Sequence, residues 1–161
     1  MFKEVVGLLE KKNLYIATME SCTGGALASA ITSVTGASEV LQFSAVTYSN
    51  EYKIKMGVSA DVIEKYSVYS METANEMSIH ISQFANSDIG VGITGKINAA
   101  DAKNPEGQDN LVYISIYFKR ENSYKNFIYE AVSGETREWN KQQIVKLIEK
   151  NLQILLRDLS F

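Results

Sequence analysis

A short run of small polar residues and glycines, Ser21-Cys22-Thr23-Gly24-Gly25, is the first segment of the sequence that could carry chemistry. It follows an apolar run and precedes a stretch rich in alanine and serine, an order typical of a strand, a tight glycine turn and a helix. Helix N-termini offer unpaired N–H groups and glycines let a ligand approach the backbone, so phosphate or a developing oxyanion could bind here. Ser21 could be a nucleophile, although capping the helix is the commoner role of serine at such a position.

A serine nucleophile needs a group that accepts its proton, and the sequence offers histidine or lysine. His80 is the single histidine, but Met77, Ile81 and Phe84 surround it at helical spacing, which favours packing on an apolar face. Lysine becomes a base where burial or a nearby cation lowers its pKa, but composition alone does not choose among 16 Lys and Arg residues. Cys22 is an alternative nucleophile of higher intrinsic reactivity, or a small packing residue.

The rarest residue types exclude several kinds of site. One Cys cannot close an internal disulfide, and one Cys with one His is too few for the usual zinc and iron–sulfur ligand sets. Carboxylates could hold Mg²⁺, but the sequence contains no tight cluster of Asp and Glu. These counts argue against metal sites built from His or Cys, and we expect no cofactor.

Length, charge and hydropathy predict one packed domain over residues 1–161. Apolar residues make up 45% of the 161-residue chain and charged residues 22%, as in an ordinary globular domain. A net charge of −3 argues against a general nucleic-acid binder, which usually has a basic face. No apolar run approaches the roughly 20 residues of a membrane span, and no signal-peptide pattern is present. We expect a cytoplasmic protein without nucleic-acid or membrane partners.

The elements that must position these residues follow from hydrophobic periodicity and turn signals. Helices are predicted over residues 2–12, from Ala26 to Val34, from Ser70 as N-cap to about Asn86, and over 135–159 with Trp139 on its apolar face. Short helical pieces broken near Gly57 are expected over 50–66. Strands are predicted over 14–18, 40–49 and 89–94, and a hairpin over 111–118 and 126–132. Helices that alternate with strands before a final hairpin indicate a three-layer α/β/α single domain with a mixed, mostly parallel sheet.

Several motifs, in order along nearly the whole chain, resemble those of the CinA C-terminal domain family, the nicotinamide mononucleotide (NMN) deamidases. Glu20-Ser21-Cys22-Thr23-Gly24-Gly25 resembles the family's signature, and Tyr48-Ser49-Asn50-Glu51-Tyr52-Lys53 resembles its Tyr-Ser-Asn-x-x-Lys segment. Further similarities are Thr35-Gly36-Ala37-Ser38, Gly57-Val58, Ser70 with Ala74 and Met77, Thr94-Gly95, and Arg137. The first two motifs together are quite specific.

The resemblance implies hydrolysis of the NMN carboxamide to nicotinate mononucleotide and ammonia without a metal. It makes Ser21 the nucleophile, Lys53 the group that activates it and Tyr48 an assisting phenol. Backbone N–H groups near the glycines would hold the oxyanion or the substrate. The substrate-binding residues that it implies are Glu20, Cys22, Thr23, Gly24, Gly25, Thr94, Gly95 and Arg137. Relatives look like homodimers, so a homodimer is expected, without the additional N-terminal domain of longer relatives.

Other roles are open for three of these residues. Tyr48 could cover the end of a half-buried strand, and Lys53 could be a solvated helix charge. Arg137, near the start of a helix, could reach a substrate phosphate or pair with a glutamate.

The loop over residues 95–110 departs from the family pattern. Asn98 replaces a glycine and Ala99 a proline, while Gln108 and Asn110 replace a later proline and glycine. Lys96 could contact a phosphate or be solvated. Because the catalytic motifs are kept while this loop is rewritten, two alternatives accompany the NMN amidohydrolase. They are an inactive nucleotide-sensing or partner-binding module, and an amidohydrolase with an altered substrate.

Overall fold

Five strands form one mixed sheet at the centre of the molecule. The computed structural model describes residues 1–98 and 101–160, so Ala99 of the divergent loop lies outside the described residues. The strands are β1 (Ile16–Glu20), β2 (Leu41–Val46), β3 (Ile89–Gly95), β4 (Leu111–Phe118) and β5 (Ser123–Glu130), in the order β2-β1-β3-β4-β5. β1 pairs in parallel with β2 and β3, and β4 is antiparallel to β3 and β5. Four strands therefore run in one direction, and the sheet is mostly parallel as predicted.

Helices cover both faces of the sheet. They are α1 (Lys3–Lys11), α2 (Ala26–Thr32), α3 (Asn50–Lys55), α4 (Ala60–Tyr66), α5 (Met71–Ala85) and α6 (Arg137–Asp158). One core joins α1, α2 and α6 to the sheet through residues such as Leu9, Leu27, Ile148 and Ile93. A second, smaller core lies on the opposite face and contains Ala17, Met19, Val58, Met77 and Ile81. Two cores separated by one sheet confirm the three-layer α/β/α architecture.

The central strand β3 lies unusually close to α5. All seven of its residues are buried, as expected for a strand covered on both faces. A Cβ atom at Gly90 would lie 2.0 Å from the carbonyl oxygen of Ser78, and one at Gly92 would lie 2.4 Å from that of Ala74. Glycine is therefore required at both positions because the helix backbone occupies the space of a side chain.

Serine side chains set the start of three helices on one side of the sheet. The hydroxyl of Ser70 accepts a hydrogen bond from the N–H of Thr73 at 3.1 Å, which confirms Ser70 as the N-cap of α5. Ser49 and Ser59 cap α3 and α4 in the same way. Gly57, with φ of +108°, separates these two helices as predicted. No helix in the described part of the chain is long and apolar enough to cross a membrane.

The hairpin strand β5 begins three residues earlier than predicted. The prediction started this strand at Asn126, but the ladder already pairs Phe118 with Ser123. The alternating burial of β5 explains the difference, because every second residue faces solvent and its first residues are polar. β1 lies two residues later than predicted, because the sheet buries the whole stretch from Ile16 to Glu20.

The prediction that Trp139 lies on the buried face of α6 was wrong. Its side chain is 39% exposed, whereas the neighbouring Asn140 is fully buried. The Asn140 carboxamide accepts hydrogen bonds from the Tyr129 hydroxyl at 2.7 Å and the Val132 N–H at 2.9 Å. It also donates to the carbonyls of Val132 and Thr136. This amide ties the start of α6 to the end of β5, and its four bonds offset the cost of burying it.

Candidate active site

Ser21 lies directly after β1 and does not cap α2. The N-cap of that helix is Gly25, whose φ of +99° places it in the left-handed region, and no side-chain hydroxyl caps the helix. The buried carboxylate of Glu20 binds the first turn instead, accepting from the N–H groups of Leu27 and Ala28 at 3.0 Å. It also accepts from the Thr23 hydroxyl at 2.6 Å. Glu20 and Thr23 therefore hold the turn, and the hydroxyl of Ser21 is left for other contacts.

Lys53 is buried beside Ser21. Its Nζ lies 3.0 Å from Ser21 Oγ and donates a hydrogen bond to the Thr47 carbonyl at 2.6 Å. The residue is only 2% exposed, so it is not the solvated helix charge that was one alternative. Burial lowers the pKa of Lys53 to about 8, although the charge of Asp101 opposes this shift. With this pKa, Lys53 is neutral in a fraction of the molecules near neutral pH, and in that form it can accept a proton.

Cys22 is poorly suited to be the nucleophile. The residue is 4% exposed, and burial raises the pKa of its thiol to about 12, against the opposing effect of the Lys53 charge. Since the thiolate is the reactive form of cysteine, this thiol is inert at neutral pH. Its side chain nevertheless lines the same cavity as Ser21.

The backbone N–H groups of the glycine turn are used unequally. The N–H of Gly24 donates to the Ser21 carbonyl at 3.0 Å and is not free for an oxyanion. Within the described residues, the N–H groups of Cys22, Thr23 and Gly25 make no backbone–backbone hydrogen bond. These three, rather than that of Gly24, are the donors of the turn that an oxyanion could use.

Tyr48 and Arg137 meet at the mouth of the cavity. Tyr48 is 66% exposed, and its hydroxyl accepts a hydrogen bond from Arg137 Nη2 at 3.5 Å. Arg137 is the first residue of α6 and also donates through Nη1 to the Ile97 carbonyl. The partners of the guanidinium are thus a phenol and a backbone carbonyl rather than the glutamate considered above. Both side chains line the cavity that contains Ser21.

Thr94 and Gly95 are the last two residues of β3. Gly95 is one of the residues that line the cavity, and Thr94 is not. The Thr94 hydroxyl is buried and donates to the Val68 carbonyl at 2.8 Å. Gly95 lines the cavity, and a Cβ atom there would lie 2.5 Å from the carbonyl oxygen of Leu111. Gly95 therefore allows β4 to pair closely while it keeps the wall of the cavity open.

The cavity next to Ser21 and Lys53 has a volume of about 610 Å³ and a predominantly basic lining. Four cationic side chains line it, Lys53, Lys96, Lys103 and Arg137, with one carboxylate, Asp101. This excess of positive charge contrasts with the net charge of −3 of the whole chain. Such a lining favours anionic ligands such as a phosphate ester.

Lys96 belongs to the cavity wall and is not solvated. Its side chain is 3% exposed, with Nζ 4.9 Å from the centre of the Tyr69 ring and 3.6 Å from Asp109 Oδ1. The cation lies over an aromatic face, which stabilises a desolvated ammonium. The Asp109 side chain is 64% exposed, so the ion pair is open to solvent on that side.

A polar network that the sequence did not indicate forms part of the cavity lining. The Tyr69 hydroxyl donates to Asp101 Oδ2, as does the Asn104 side-chain amide at 3.0 Å. Oδ1 of the Asn104 side chain in turn accepts a hydrogen bond from the side-chain amide of Asn50, the first residue of α3, at 2.9 Å. No motif in the sequence indicates these contacts.

His80 lies on α5, where its ring packs against Gly57 and Nε2 is 3.6 Å from Glu76 Oε1. It is not one of the residues that line the cavity. In the described ranges 1–98 and 101–160, no three His, Cys, Asp or Glu residues are grouped so that they could hold a metal ion.

Comparison with known proteins identifies the family of the chain. The sequence model of the CinA C-terminal domain matches residues 1–157. A CinA-like protein of Kosmotoga olearia is 43% identical over 122 residues, which cover 75% of this chain and 29% of that protein. For a CinA-like protein of Dictyoglomus thermophilum the identity is 41%, with the same coverage. The matched part thus spans less than a third of the length of these two curated relatives.

Solved structures share the fold. A CinA superfamily protein from Klebsiella pneumoniae aligns with a TM-score of 0.87 at 24% identity, covering 97% of this chain and 95% of that chain. The competence/damage inducible protein CihA from Agrobacterium tumefaciens aligns with a TM-score of 0.81 at 25% identity, covering 96% of each chain. With the match over residues 1–157, these similarities show that the chain belongs to the CinA C-terminal domain family.

Proposed function

We propose that this domain is a metal-independent amidohydrolase that converts NMN to nicotinate mononucleotide and ammonia. The observation that carries the proposal is the contact of 3.0 Å between the buried Lys53 Nζ and Ser21 Oγ at the floor of a basic cavity. A nucleophile within hydrogen-bond reach of a base of lowered pKa is the minimum equipment for acyl transfer from an amide.

The first half of the reaction acylates Ser21. With a pKa of about 8, roughly a tenth of the Lys53 side chains are neutral at pH 7. The neutral amine keeps one N–H on the Thr47 carbonyl and directs its lone pair to the Ser21 hydroxyl. Ser21 Oγ attacks the carboxamide carbon while its proton moves to Lys53. The tetrahedral intermediate then loses ammonia, which takes that proton from the lysine ammonium.

The second half releases the acid. Water attacks the ester carbon of acylated Ser21 and gives a proton to Lys53. The ester C–O bond breaks, the proton returns to Ser21 Oγ, and nicotinate mononucleotide leaves. Each tetrahedral intermediate carries an oxyanion, which the N–H groups of Cys22, Thr23 and Gly25, all without backbone partners, would stabilise.

The remaining cavity residues would bind the nucleotide. Lys96, Lys103 and Arg137 would supply positive charge for the phosphate. Tyr48, which accepts from Arg137 and lines the same cavity as Ser21, would hydrogen-bond the ribose or the amide. With these assignments the cationic side chains of the cavity bind the substrate directly, and no metal ion is required.

The test is the release of ammonia and nicotinate mononucleotide from NMN by the purified protein. Wild type is expected to form both products in equal amounts, and Ser21→Ala is expected to form neither above the rate without enzyme. NMN binding by calorimetry without turnover would instead favour a nucleotide-sensing module. Ammonia released from another amide in a panel, but not from NMN, would favour an altered substrate.

A further inference from the structure

One carboxylate, that of Asp101, lines a cavity whose other charged side chains are cations. Both oxygens of Asp101 are held by the protein. Oδ2 accepts from the Tyr69 hydroxyl and from the Asn104 amide, and Oδ1 accepts from the N–H of Lys103 at 3.0 Å. Of the described residues that line the cavity, Asp101 is the one with an acidic side chain. Its position is therefore fixed by contacts and not left to a flexible loop.

The carboxylate is charged at any pH at which the enzyme would work. The hydrogen bond from Tyr69, followed by that from Asn104, lowers the pKa of Asp101 to about 2. Burial, followed by the same contact with Asp101, raises the pKa of the Tyr69 phenol, so Tyr69 stays a donor. The cavity thus has a permanent negative charge on one wall.

This charge lies near the proposed base. Asn104, which holds Asp101, is bound to Asn50 in the first turn of α3, and Lys53 follows Asn50 by three residues, about one helical turn. Asp101 raises the pKa of Lys53, against the lowering by burial. A positive charge on the bound substrate would pair with Asp101 and so reduce its effect on Lys53.

We propose that Asp101 is a specificity-determining residue that selects substrates whose amide-bearing ring is positively charged. The proposal rests on the proposed function and names the substrate class of the same site. In NMN the carboxamide is attached to a pyridinium ring, so a carboxamide carbon next to Ser21 brings the ring cation into the field of Asp101. The cations of the lining are then left for the phosphate. Asp101 and the lysines together match a zwitterionic nucleotide rather than a simple anion.

The alternative is that Asp101 only anchors the loop. A purely structural role would change turnover of every amide alike, whereas a specificity role changes the ratio between a charged and a neutral ring. The reduced form of NMN provides the comparison, since it keeps the carboxamide, ribose and phosphate but has an uncharged dihydropyridine ring. Because both substrates are measured on one preparation, the fraction of folded enzyme cancels in the ratio.

The experiment compares kcat/KM for NMN and for reduced NMN at pH 8 in three proteins. Wild type is expected to prefer NMN, and Asp101→Asn, which keeps an acceptor for Tyr69 and Asn104, is expected to lower this preference about tenfold. Glu106→Gln removes the same charge from an exposed position of the same loop and is expected to leave the ratio within twofold. An unchanged ratio in Asp101→Asn, including an equal loss for both substrates, would overturn the proposal.

Failure of the proposed hydrolase activity can be distinguished from failure of the role assigned to Asp101. If wild type hydrolyses neither compound, the dissociation constants of NMN and reduced NMN are compared by calorimetry for wild type and Asp101→Asn. A preference for the pyridinium form that is lost in Asp101→Asn would support the assignment of Asp101 although the hydrolase proposal fails. Equal affinity for both compounds in wild type would overturn it.

Discussion

Lys53 Nζ lies 3.0 Å from Ser21 Oγ, although the residues are 32 positions apart in the sequence. The parallel pairing of β1 and β2 causes this proximity. Glu20 is in register with Val46, and the Thr47 N–H donates to the Glu20 carbonyl at 2.8 Å, so both strands end at the same edge of the sheet. The chain after β2 then turns into α3, whose first turns carry Lys53. Ligand sites at the carboxyl ends of parallel strands are a general feature of α/β folds.

The pH dependence of turnover should report the ionisation of Lys53. Because the neutral amine is the base, kcat/KM is expected to rise about tenfold per pH unit below the pKa of about 8 and to level off above it. Asp101→Asn removes a charge that raises this pKa, so its acid limb should move to lower pH. The measurement is a pH profile of ammonia release from pH 6 to 10. A profile that is flat between pH 6 and 9 would argue against lysine as the base.

Replacement of Lys53 should cost activity but increase stability. Lys53→Met is expected to lower kcat at least about 10³-fold, since it removes the general base. The drop in pKa from 10.5 to about 8 means that folding disfavours the protonated lysine by about 3 kcal/mol at pH 7. Methionine loses the hydrogen bonds of the amine, so we expect a net gain of about 1–2 kcal/mol in the free energy of unfolding.

The pH dependence of the free energy of unfolding checks the sign of the effect predicted for Lys53→Met. Between pH 8 and 10.5 the unfolded chain binds the lysine proton and the folded chain does not, so wild type becomes more stable as pH rises. The stability advantage of Lys53→Met should therefore shrink across this window. Urea denaturation at pH 7 and pH 10 measures it, and an advantage that grows with pH would be inconsistent with the lowered pKa.

Gly92→Ala should destabilise the protein, and Gly7→Ala should not. A Cβ at Gly92 would lie 2.4 Å from the Ala74 carbonyl, so α5 would have to move away from β3, at a cost of about 2 kcal/mol or more. At Gly7, within α1, a Cβ meets no atom within 4 Å, and alanine should stabilise the helix by about 0.5–1 kcal/mol. Thermal unfolding of the two variants checks the contrast, and equal melting temperatures would refute it.

Asn140→Ala should weaken the junction between α6 and β5. It removes the acceptor for the Tyr129 hydroxyl and the Val132 N–H, so we expect a loss of about 2 kcal/mol in the free energy of unfolding. Gln142→Ala, at an exposed position of the same helix, is the control and should change stability by less than about 0.5 kcal/mol. Chemical denaturation of both variants measures the two changes in the free energy of unfolding. A similar effect for the two would mean that the buried amide adds nothing.

Local signals in the sequence were sufficient for most of the fold. Ser70 and the periodic pattern after it predicted α5, because a capping hydroxyl and an apolar stripe are both local features. β5 and the face of α6 were harder, since they depend on long-range partners. Ser123 is in a strand because it pairs with Phe118, and Asn140 is buried because β5 offers it donors and acceptors.

In the candidate site, too, local sequence signals indicated some residues, whereas others depend on long-range partners. Short motifs identified Ser21 and Lys53, and the structure brings these two residues together, although their catalytic roles stay predictions. Nothing in the sequence indicated that Tyr69 and Asp101, 32 residues apart, would share a hydrogen bond. Nor did it indicate that Lys96 would be buried over the Tyr69 ring. Burial of a charge depends on tertiary packing, which a loop without periodicity does not encode locally.

Ammonia release from NMN by Ser21→Ala and Cys22→Ala, measured beside wild type, tests the central claim most directly. The two side chains are adjacent and line the same cavity, but Ser21 contacts Lys53, whereas the Cys22 thiol has a pKa of about 12. We predict that Ser21→Ala releases no ammonia above the rate without enzyme and that Cys22→Ala stays within about threefold of wild type. Wild-type turnover by Ser21→Ala, or its loss only in Cys22→Ala, would contradict the assignment of Ser21 as the nucleophile.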